Sequence, residues 1–219
     1  MIAGDYHFDE RYREEAELAD GCRVLLRVVR REDRELLRRG FDRLSSESRY
    51  MRFMGGRAEL SEAELDALTT LDEVDRFAIG AIRKDPDGEL EGLGVARFAR
   101  LPDEPEVAEV AVTVVDAVQR RGLGSLLLRR LAAAARERGV TRFRGEILAC
   151  NEPMRRLLAE HVDAMVEADD DVVRVVVELP PFASLMAGAD RSDLLGRLLA
   201  QAAGGGFTMR VGDMLLKRG

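Results

Sequence analysis

The stretch Glu109-Val-Ala-Val-Thr-Val-Val115, Asp116-Ala-Val-Gln-Arg-Arg-Gly-Leu-Gly124, Ser125-Leu-Leu-Leu-Arg-Arg-Leu-Ala-Ala-Ala-Ala-Arg-Glu-Arg138 decides the fold. Its first part is β-branched and apolar, which predicts a buried strand. Its last part contains strong helix formers and an apolar stripe, which predicts an amphipathic helix. The stripe consists of Leu127, Leu128, Leu131 and Ala135.

The turn between this strand and this helix predicts an anion-binding site. The first amides of a helix lack intrahelical partners and lie at the positive end of its dipole. Gly122 and Gly124 let the backbone approach a ligand closely. The turn fits neither a Walker loop, which needs Gly-Lys-Ser/Thr, nor the dinucleotide fingerprint, which needs a third glycine. Arginines that add positive charge to this helix end are Arg120, Arg121, Arg129 and Arg130.

The pattern Gln-x-x-Gly-x-Gly at the start of a Leu-rich helix resembles the pyrophosphate-binding motif of the GCN5-related N-acetyltransferase (GNAT) family. The resemblance implies an enzyme that uses acetyl-CoA as co-substrate and needs no metal. It implies that the turn binds the pyrophosphate through its amides; an ordinary βα connection is the alternative. The implied residues are Gln119, Arg120, Arg121, Gly122, Leu123, Gly124 and Ser125.

The same resemblance implies two further contacts with the cofactor arm. In this family the pantetheine arm adds to the exposed edge of the central strand, which would involve the backbone of Val112, Thr113 and Val114. Asn151 matches the family's asparagine at the start of the following helix. Simple N-capping of that helix is the alternative for Asn151.

Composition and charge limit the possible partners. A chain of 219 residues with 46% hydrophobic residues predicts one domain with appendages. The formal net charge of −7 argues against a nucleic-acid binder and is compatible with a basic substrate. Residues 1–10 lack the features of a signal peptide, and no apolar run is long enough to span a membrane. We therefore expect a cytoplasmic protein without membrane or nucleic-acid partners.

The order of predicted elements is that of an α+β domain. Strands and helices alternate as β α α β β β α β α β β, which indicates a mostly antiparallel sheet flanked by helices over residues 21–180. Residues 1–20 form an N-terminal arm, either a short helix from Glu10 to Ala19 or a segment ordered only by a neighbour. Cys22 and Cys150 lie in apolar runs without metal-ligand spacing, which favours buried, reduced thiols.

Residues 181–219 are predicted to form a C-terminal helical extension. A leucine stripe within residues 190–203 favours self-association, which would give a homodimer, or docking back on the domain. The stripe consists of Leu194, Leu195, Leu198 and Leu199.

A second segment, Arg43-Leu-Ser-Ser-Glu-Ser-Arg-Tyr-Met-Arg-Phe-Met54, resembles the signature of bacterial protein lysine acetyltransferases of the Pat type. This resemblance implies a protein substrate such as an acyl-CoA synthetase. In that subfamily the glutamate of Ala-Glu-x-Ala-x-x-Val is the general base, and Glu109 matches it. Many family members have a tyrosine as general acid where this chain has Leu158.

Transfer of an acetyl group to an amine needs a base, because a lysine is protonated at neutral pH. Glu109 lies among Val and Ala residues, so burial would raise its pKa toward the working range. A salt-bridged glutamate pointing to solvent is the alternative. No activated Cys or Ser is evident, which favours direct attack without a covalent enzyme intermediate. Acetylation of a small amine and a non-catalytic acyl-CoA-binding module are the other functions compatible with the sequence.

Overall fold

The computed structural model describes residues 6–46, 48–49, 59–148, 165–169 and 172–187. Its strands are β1 (Arg13–Glu17), β2 (Arg23–Val28), β3 (Arg76–Lys84), β4 (Leu90–Leu101), β5 (Glu104–Val114), β6 (Arg142–Leu148), β7 (Met165–Asp169) and β8 (Val172–Glu178). Its helices are α1 (Arg34–Asp42), α2 (Glu62–Thr69), α3 (Leu123–Glu137) and α4 (Phe182–Ala187), with 3-10 turns at Arg31–Asp33 and Asp116–Val118.

The strands form one eight-stranded sheet in the order β1-β2-β3-β4-β5-β6-β8-β7. Every neighbouring pair is antiparallel except β5 and β6, which run parallel. The predicted α+β fold with a mixed, mostly antiparallel GNAT-type sheet is therefore confirmed. The single parallel pair arises because α3 carries the chain from the end of β5 back to the start of β6.

Helices cover both faces of the sheet. On one face, α3 buries its leucine stripe against alternate residues of β5, such as Val110 and Val112. On the other face, α1 and α2 close a smaller apolar cluster that contains Phe41 and Leu65. Because side chains alternate along a strand, Glu109, Ala111 and Thr113 point toward the α1/α2 face.

Local sequence signals mark the ends of two helices. Ser61 and Glu64 form a capping box at the start of α2, in which the Ser61 N–H donates to Glu64 Oε2 over 2.8 Å. Gly139 follows α3 in the left-handed region with φ 80°, as a C-terminal cap requires. None of the described helices is long and apolar enough to cross a membrane.

The N-terminal segment differs from the helix that the sequence offered as one alternative. Residues 13–17 form an edge strand that pairs with β2, so the predicted helix from Glu10 to Ala19 is wrong. The helix propensity of these residues is outweighed by hydrogen bonding to the open edge of the sheet. Their charged side chains keep the new edge strand exposed to water. Phe8 and Tyr12 are buried in the main core, and Arg138 donates to the carbonyl of Phe8 over 2.8 Å.

Two further details concern the ends of strands. The connection between β4 and β5 is short, because β4 continues to Leu101 and β5 begins at Glu104. Cys22, which was expected to be buried, is only half-buried, because it lies in the turn between β1 and β2. Its sulfur lies 3.4 Å from Arg83 Nη1. Cys150 and the helices predicted over 151–161 and 190–203 lie outside the described residues.

The described part of the C-terminal segment packs on the domain. Helix α4 lies against α3, with Leu185 fully buried in the main core. Arg130 Nη1 of α3 donates to the Leu185 carbonyl over 3.4 Å. The division of the chain at residues 20 and 180 stays a prediction.

Candidate active site

A gap in the sheet opens beside β5. The parallel pairing of β5 with β6 consists of Val107–Glu109 opposite Arg142–Arg144. Beyond Glu109, β5 continues to Val114 and pairs with β4 alone within the described residues. The main chain of Val112, Thr113 and Val114 therefore lies along an edge to which an extended ligand can add.

The turn after β5 has the geometry of an anion site. Gly122 precedes α3 with φ 89°, and Arg120 also has a positive φ of 60°. The first intrahelical bond runs from the Leu126 N–H to the Gly122 carbonyl, over 3.0 Å, so the amides of Leu123 and Gly124 have no acceptor within the helix. A Cβ at Gly122 would have no atom within 4 Å, so the space beside the backbone is open to a ligand.

Gln119 holds this turn against the strand. Its side-chain Nε2 donates to the Val114 carbonyl over 3.1 Å and to Ser48 Oγ over 3.3 Å. The amide side chain is therefore engaged within the protein, and it fixes the turn relative to the end of β5.

Positive charge at the helix end is smaller than the arginine count suggests. Arg130 donates two hydrogen bonds, of 2.6 and 2.7 Å, to Glu14 on β1. These bonds hold the pKa of the Glu14 carboxyl below its usual range. Arg121 forms an ion pair with Asp20, while Arg120 is exposed on the turn. Backbone amides and Arg120 thus provide most of the attraction for an anion here.

Glu109 occupies the last paired position before the strands diverge. It lies opposite Ala99 of β4 and Arg144 of β6, and it is half-buried. The glutamates that precede it on β5 are engaged in ion pairs, Glu104 with Arg144 at 2.5 Å and Glu106 with Arg142. Glu109 is therefore the β5 carboxylate that lies at the gap.

Asp116 connects the turn to the serine segment after α1. Its carboxylate accepts hydrogen bonds from the Ser45 N–H at 3.0 Å and from Ser45 Oγ and Ser48 Oγ at 2.8 Å. Burial acts to raise the pKa of Asp116, but the hydrogen bonds from Ser45 and Ser48 outweigh it and hold the pKa below its usual range. We call this group the serine–aspartate latch.

The latch joins residues that are far apart in the sequence. Ser45 and Ser48 belong to the segment that resembles Pat-type enzymes, but Asp116 is 71 and 68 residues away from them. No local pattern connects residues at such a separation. The one available signal was that both segments belong to recognisable motifs.

The remaining candidate residues are placed as follows. Arg49, which lies in the segment that resembles Pat-type enzymes, donates to the carbonyls of Leu44 and Asp42 near the end of α1, at 3.1 and 2.9 Å. Asn151 lies outside the described residues. The described part of the chain contains no group of three or more acidic, His or Cys side chains that could hold a metal.

Comparison with known proteins assigns a family to this arrangement. Residues 23–161 match the profile of the acetyltransferase (GNAT) domain family. The chain is 39% identical over 140 residues to "Acetyltransferase PA5475" of Pseudomonas aeruginosa, covering 64% of this chain and 74% of that protein. It is 34% identical over 163 residues to "Acetyltransferase Pat" of Mycolicibacterium smegmatis, covering 71% of this chain and 46% of that one. The match thus spans less than half the length of the mycobacterial protein.

A solved structure shows the same arrangement in three dimensions. The GNAT domain of S. lividans PAT superposes with a TM-score of 0.67 at 31% identity. The match covers 78% of this chain and 99% of that domain.

Proposed function

The chain belongs to the GNAT acetyltransferase family and is an acetyl-CoA-dependent N-acetyltransferase, and from this premise we propose that it acetylates lysine side chains of another protein with Glu109 as general base. The observation that carries the proposal is the position of Glu109, a half-buried carboxylate where β5 and β6 diverge. A base must lie beside the reacting amine, and this gap is where an extended cofactor arm and an amine can meet.

The residues for acetyl-CoA follow β5 into α3. The backbone of Val112, Thr113 and Val114 takes the pantetheine arm along the open edge, and one N–H there polarises the thioester carbonyl. The turn from Gln119 to Ser125 binds the pyrophosphate, through the amides of Gly122, Leu123, Gly124 and Ser125 and the charge of Arg120, while Arg121 of the same turn is paired with Asp20. Gln119 contributes by fixing the turn on the strand. Asn151, which lies outside the described residues, is assigned to the cofactor arm by the family resemblance alone.

The reaction is one direct displacement. Glu109 accepts a proton from the lysine ammonium, directly or through a water, and the free amine attacks the thioester carbon. The C–N bond forms, the attacking nitrogen loses its second proton to solvent, the C–S bond breaks, and the CoA thiolate leaves and takes a proton from solvent. Glu109 then returns its proton to solvent, which restores the enzyme.

Relatives favour a protein as the acceptor. The 34% identical protein of M. smegmatis is named Acetyltransferase Pat, and the segment that resembles Pat-type enzymes is held on the cofactor turn by the serine–aspartate latch. We infer that this segment forms one wall of the acceptor groove. An acyl-CoA synthetase is the proposed substrate. The proposals of a cytoplasmic location and of a homodimer through residues 181–219 rest on the sequence alone.

The acceptor class is tested by competition. Purified enzyme, acetyl-CoA and an acyl-CoA synthetase are incubated with an equal concentration of a mixture of polyamines and free amino acids, and products are resolved by mass spectrometry. We expect acetylation of one or a few lysines of the synthetase to exceed acetylation of the small amines. Acetyl-CoA consumption that yields only acetylated small amines would replace the protein substrate with a small one.

A further inference from the structure

An apolar cavity of about 90 Å³ lies between the sheet and the α1/α2 layer. Leu36, Leu37 and Gly40 of α1 line one side, and Gly80 of β3, Val95 of β4 and Thr113 of β5 line the other. A single water needs roughly 10–15 Å³, so the cavity has room for a chain of a few carbon atoms. Thr113 belongs to the β5 segment proposed to hold the thioester, so the cavity begins beside the acyl group.

A buried cation lies in the wall of this cavity. Arg97 is 4% exposed, and its Nη2 donates to the carbonyls of Ala67 and Leu68 over 3.4 and 3.2 Å. Its Nε has no hydrogen-bond partner in the described structure. A buried charge without a carboxylate partner is costly. Arg97 therefore has a donor and a charge available for an acidic ligand.

Among the described residues of the cavity wall, the other charged side chains, Arg27 and Asp33, pair with each other. Asp33 accepts two hydrogen bonds from Arg27, of 2.6 and 2.7 Å, and one from the Arg30 N–H at 2.8 Å. Its carboxylate is therefore committed and cannot neutralise Arg97. Burial, and to a smaller extent the charge of Arg76, lowers the pKa of Arg97 to about 10, so the guanidinium stays protonated at neutral pH.

Two glycines keep the cavity open where larger residues would fit. A Cβ at Gly80 would meet Val29 Cγ2 at 3.4 Å, an ordinary contact, and a Cβ at Gly40 would meet nothing closer than the Gly92 carbonyl at 4.0 Å. Gly40 lies within α1, where alanine would favour the helix by about 1 kcal/mol. Packing alone therefore does not require glycine at either position, and both can be exchanged to fill the cavity.

We propose that this cavity binds the acyl group of the donor and that Arg97 recognises a carboxylate at its far end, so that the enzyme also uses CoA thioesters of short dicarboxylic acids such as succinyl-CoA. This inference rests on the proposed function, because it places the thioester beside Thr113. The apolar lining suits the methylene groups, and the guanidinium suits the terminal carboxylate. Transfer follows the same displacement: the amine nitrogen bonds to the thioester carbon, the C–S bond breaks, and Glu109 takes the ammonium proton.

The test compares three donors on the full-length chain. Acetyl-CoA, butyryl-CoA and succinyl-CoA are titrated calorimetrically, and kcat/KM is measured for each. We expect succinyl-CoA to be preferred over butyryl-CoA by about tenfold or more, the size of effect that a buried charged hydrogen bond gives. In Arg97→Met, whose side chain has similar length but no charge, this ratio should fall to about one or below. Circular dichroism confirms that the variant is folded.

Gly80→Ala provides the matched control for size. It fills the opposite wall without touching Arg97, so it should weaken butyryl-CoA and succinyl-CoA together relative to acetyl-CoA while leaving their ratio unchanged. If succinyl-CoA is no better than butyryl-CoA in the wild type, or if Arg97→Met keeps the wild-type ratio, the proposal is wrong. If a free amino acid binds the acetyl-CoA-loaded protein and this binding is lost in Arg97→Met, the carboxylate belongs to the acceptor, which overturns the donor assignment. Failure of all three donors to bind would defeat the proposed function itself.

Discussion

In the described structure, Glu109 is the last residue of β5 that is paired with strands on both sides. Because the edge facing β6 is open beyond it, its carboxylate lies where a general base is needed. We expect Glu109→Gln to bind acetyl-CoA with an affinity close to that of the wild type, because the cofactor contacts are backbone groups. Its kcat should fall by about 10²–10⁴-fold, the usual contribution of a general base. Calorimetry and a steady-state assay measure the two effects.

The matched control is Glu106→Gln. Glu106 lies on the same strand and is also half-buried, but it is paired with Arg142 away from the gap, so its substitution should change kcat by less than about twofold. Equal rates for Glu109→Gln and the wild type would remove Glu109 from the mechanism.

Substitution of Gly122 tests whether the turn before α3 binds the pyrophosphate. Gly122→Ala forces an L-residue to adopt φ 89°, at a cost of about 1–2 kcal/mol in unfolding free energy, and places a methyl group beside the helix amides. Gly88 has φ 86° in the β3–β4 turn and equally open space, so Gly88→Ala should cost the same stability. Only Gly122→Ala should weaken acetyl-CoA binding, by roughly tenfold. Equal affinities for the two variants would place the pyrophosphate elsewhere.

The serine–aspartate latch predicts a pH dependence. A carboxyl whose pKa is lowered by folding stabilises the protein above its unfolded pKa, about 3.9 for Asp, and this stabilisation is lost as the pH falls through the lower folded value. The difference in unfolding free energy between the wild type and Asp116→Asn should therefore be constant near pH 6 and shrink below about pH 4. Urea unfolding at several pH values measures it. A difference independent of pH would mean that the carboxylate charge does not contribute.

The structural role of some residues can be predicted from the neighbouring sequence, and that of others cannot. The positive φ of Gly122 and the place of Glu109 on the central strand follow from the strand-turn-helix pattern. The inward orientation of Gln119, the Arg130–Glu14 pair and the cavity position of Arg97 do not, because each depends on which distant element packs on which face.

Strand β5 is the element that joins the base to the anion site. Its segment from Val110 to Val114 pairs with β4 alone in the described structure, whereas Val107–Glu109 is paired on both sides. Acetyl-CoA that adds along this edge should slow hydrogen exchange of the amides from Val110 to Val114. Exchange of the amides from Val107 to Glu109 should stay unchanged. Exchange measured by mass spectrometry with and without ligand tests this, and unchanged protection from Val110 to Val114 would rule out binding along the edge.

Elements with a strong period or cap were predictable, and edge elements were not. The apolar stripe of α3 and the capping box of α2 both mark their helices in the sequence. The charged residues of β1 favour a helix by local propensity, and only pairing with β2 makes them a strand. The short helix α4 is likewise stabilised by packing on α3 rather than by its own six residues.

For the whole molecule, the prediction of a homodimer depends on the C-terminal segment. We predict that residues beyond α4 mediate self-association. Because Leu185 is fully buried in the core, the truncation should end at Ala187, so that the domain stays intact. Sedimentation should then give a smaller number of subunits than for the full chain. An unchanged number of subunits would exclude this segment as the interface.

Every proposed step depends on the binding of acetyl-CoA by the open edge of β5 together with the start of α3. Calorimetric titration of the full-length protein with acetyl-CoA, and with free CoA as control, measures this binding. We expect one site per chain with micromolar affinity for both ligands, because the pyrophosphate and the pantetheine arm are common to them. Absence of binding by either ligand would contradict it and would reduce the turn from Gln119 to Gly124 to a plain connection between a strand and a helix.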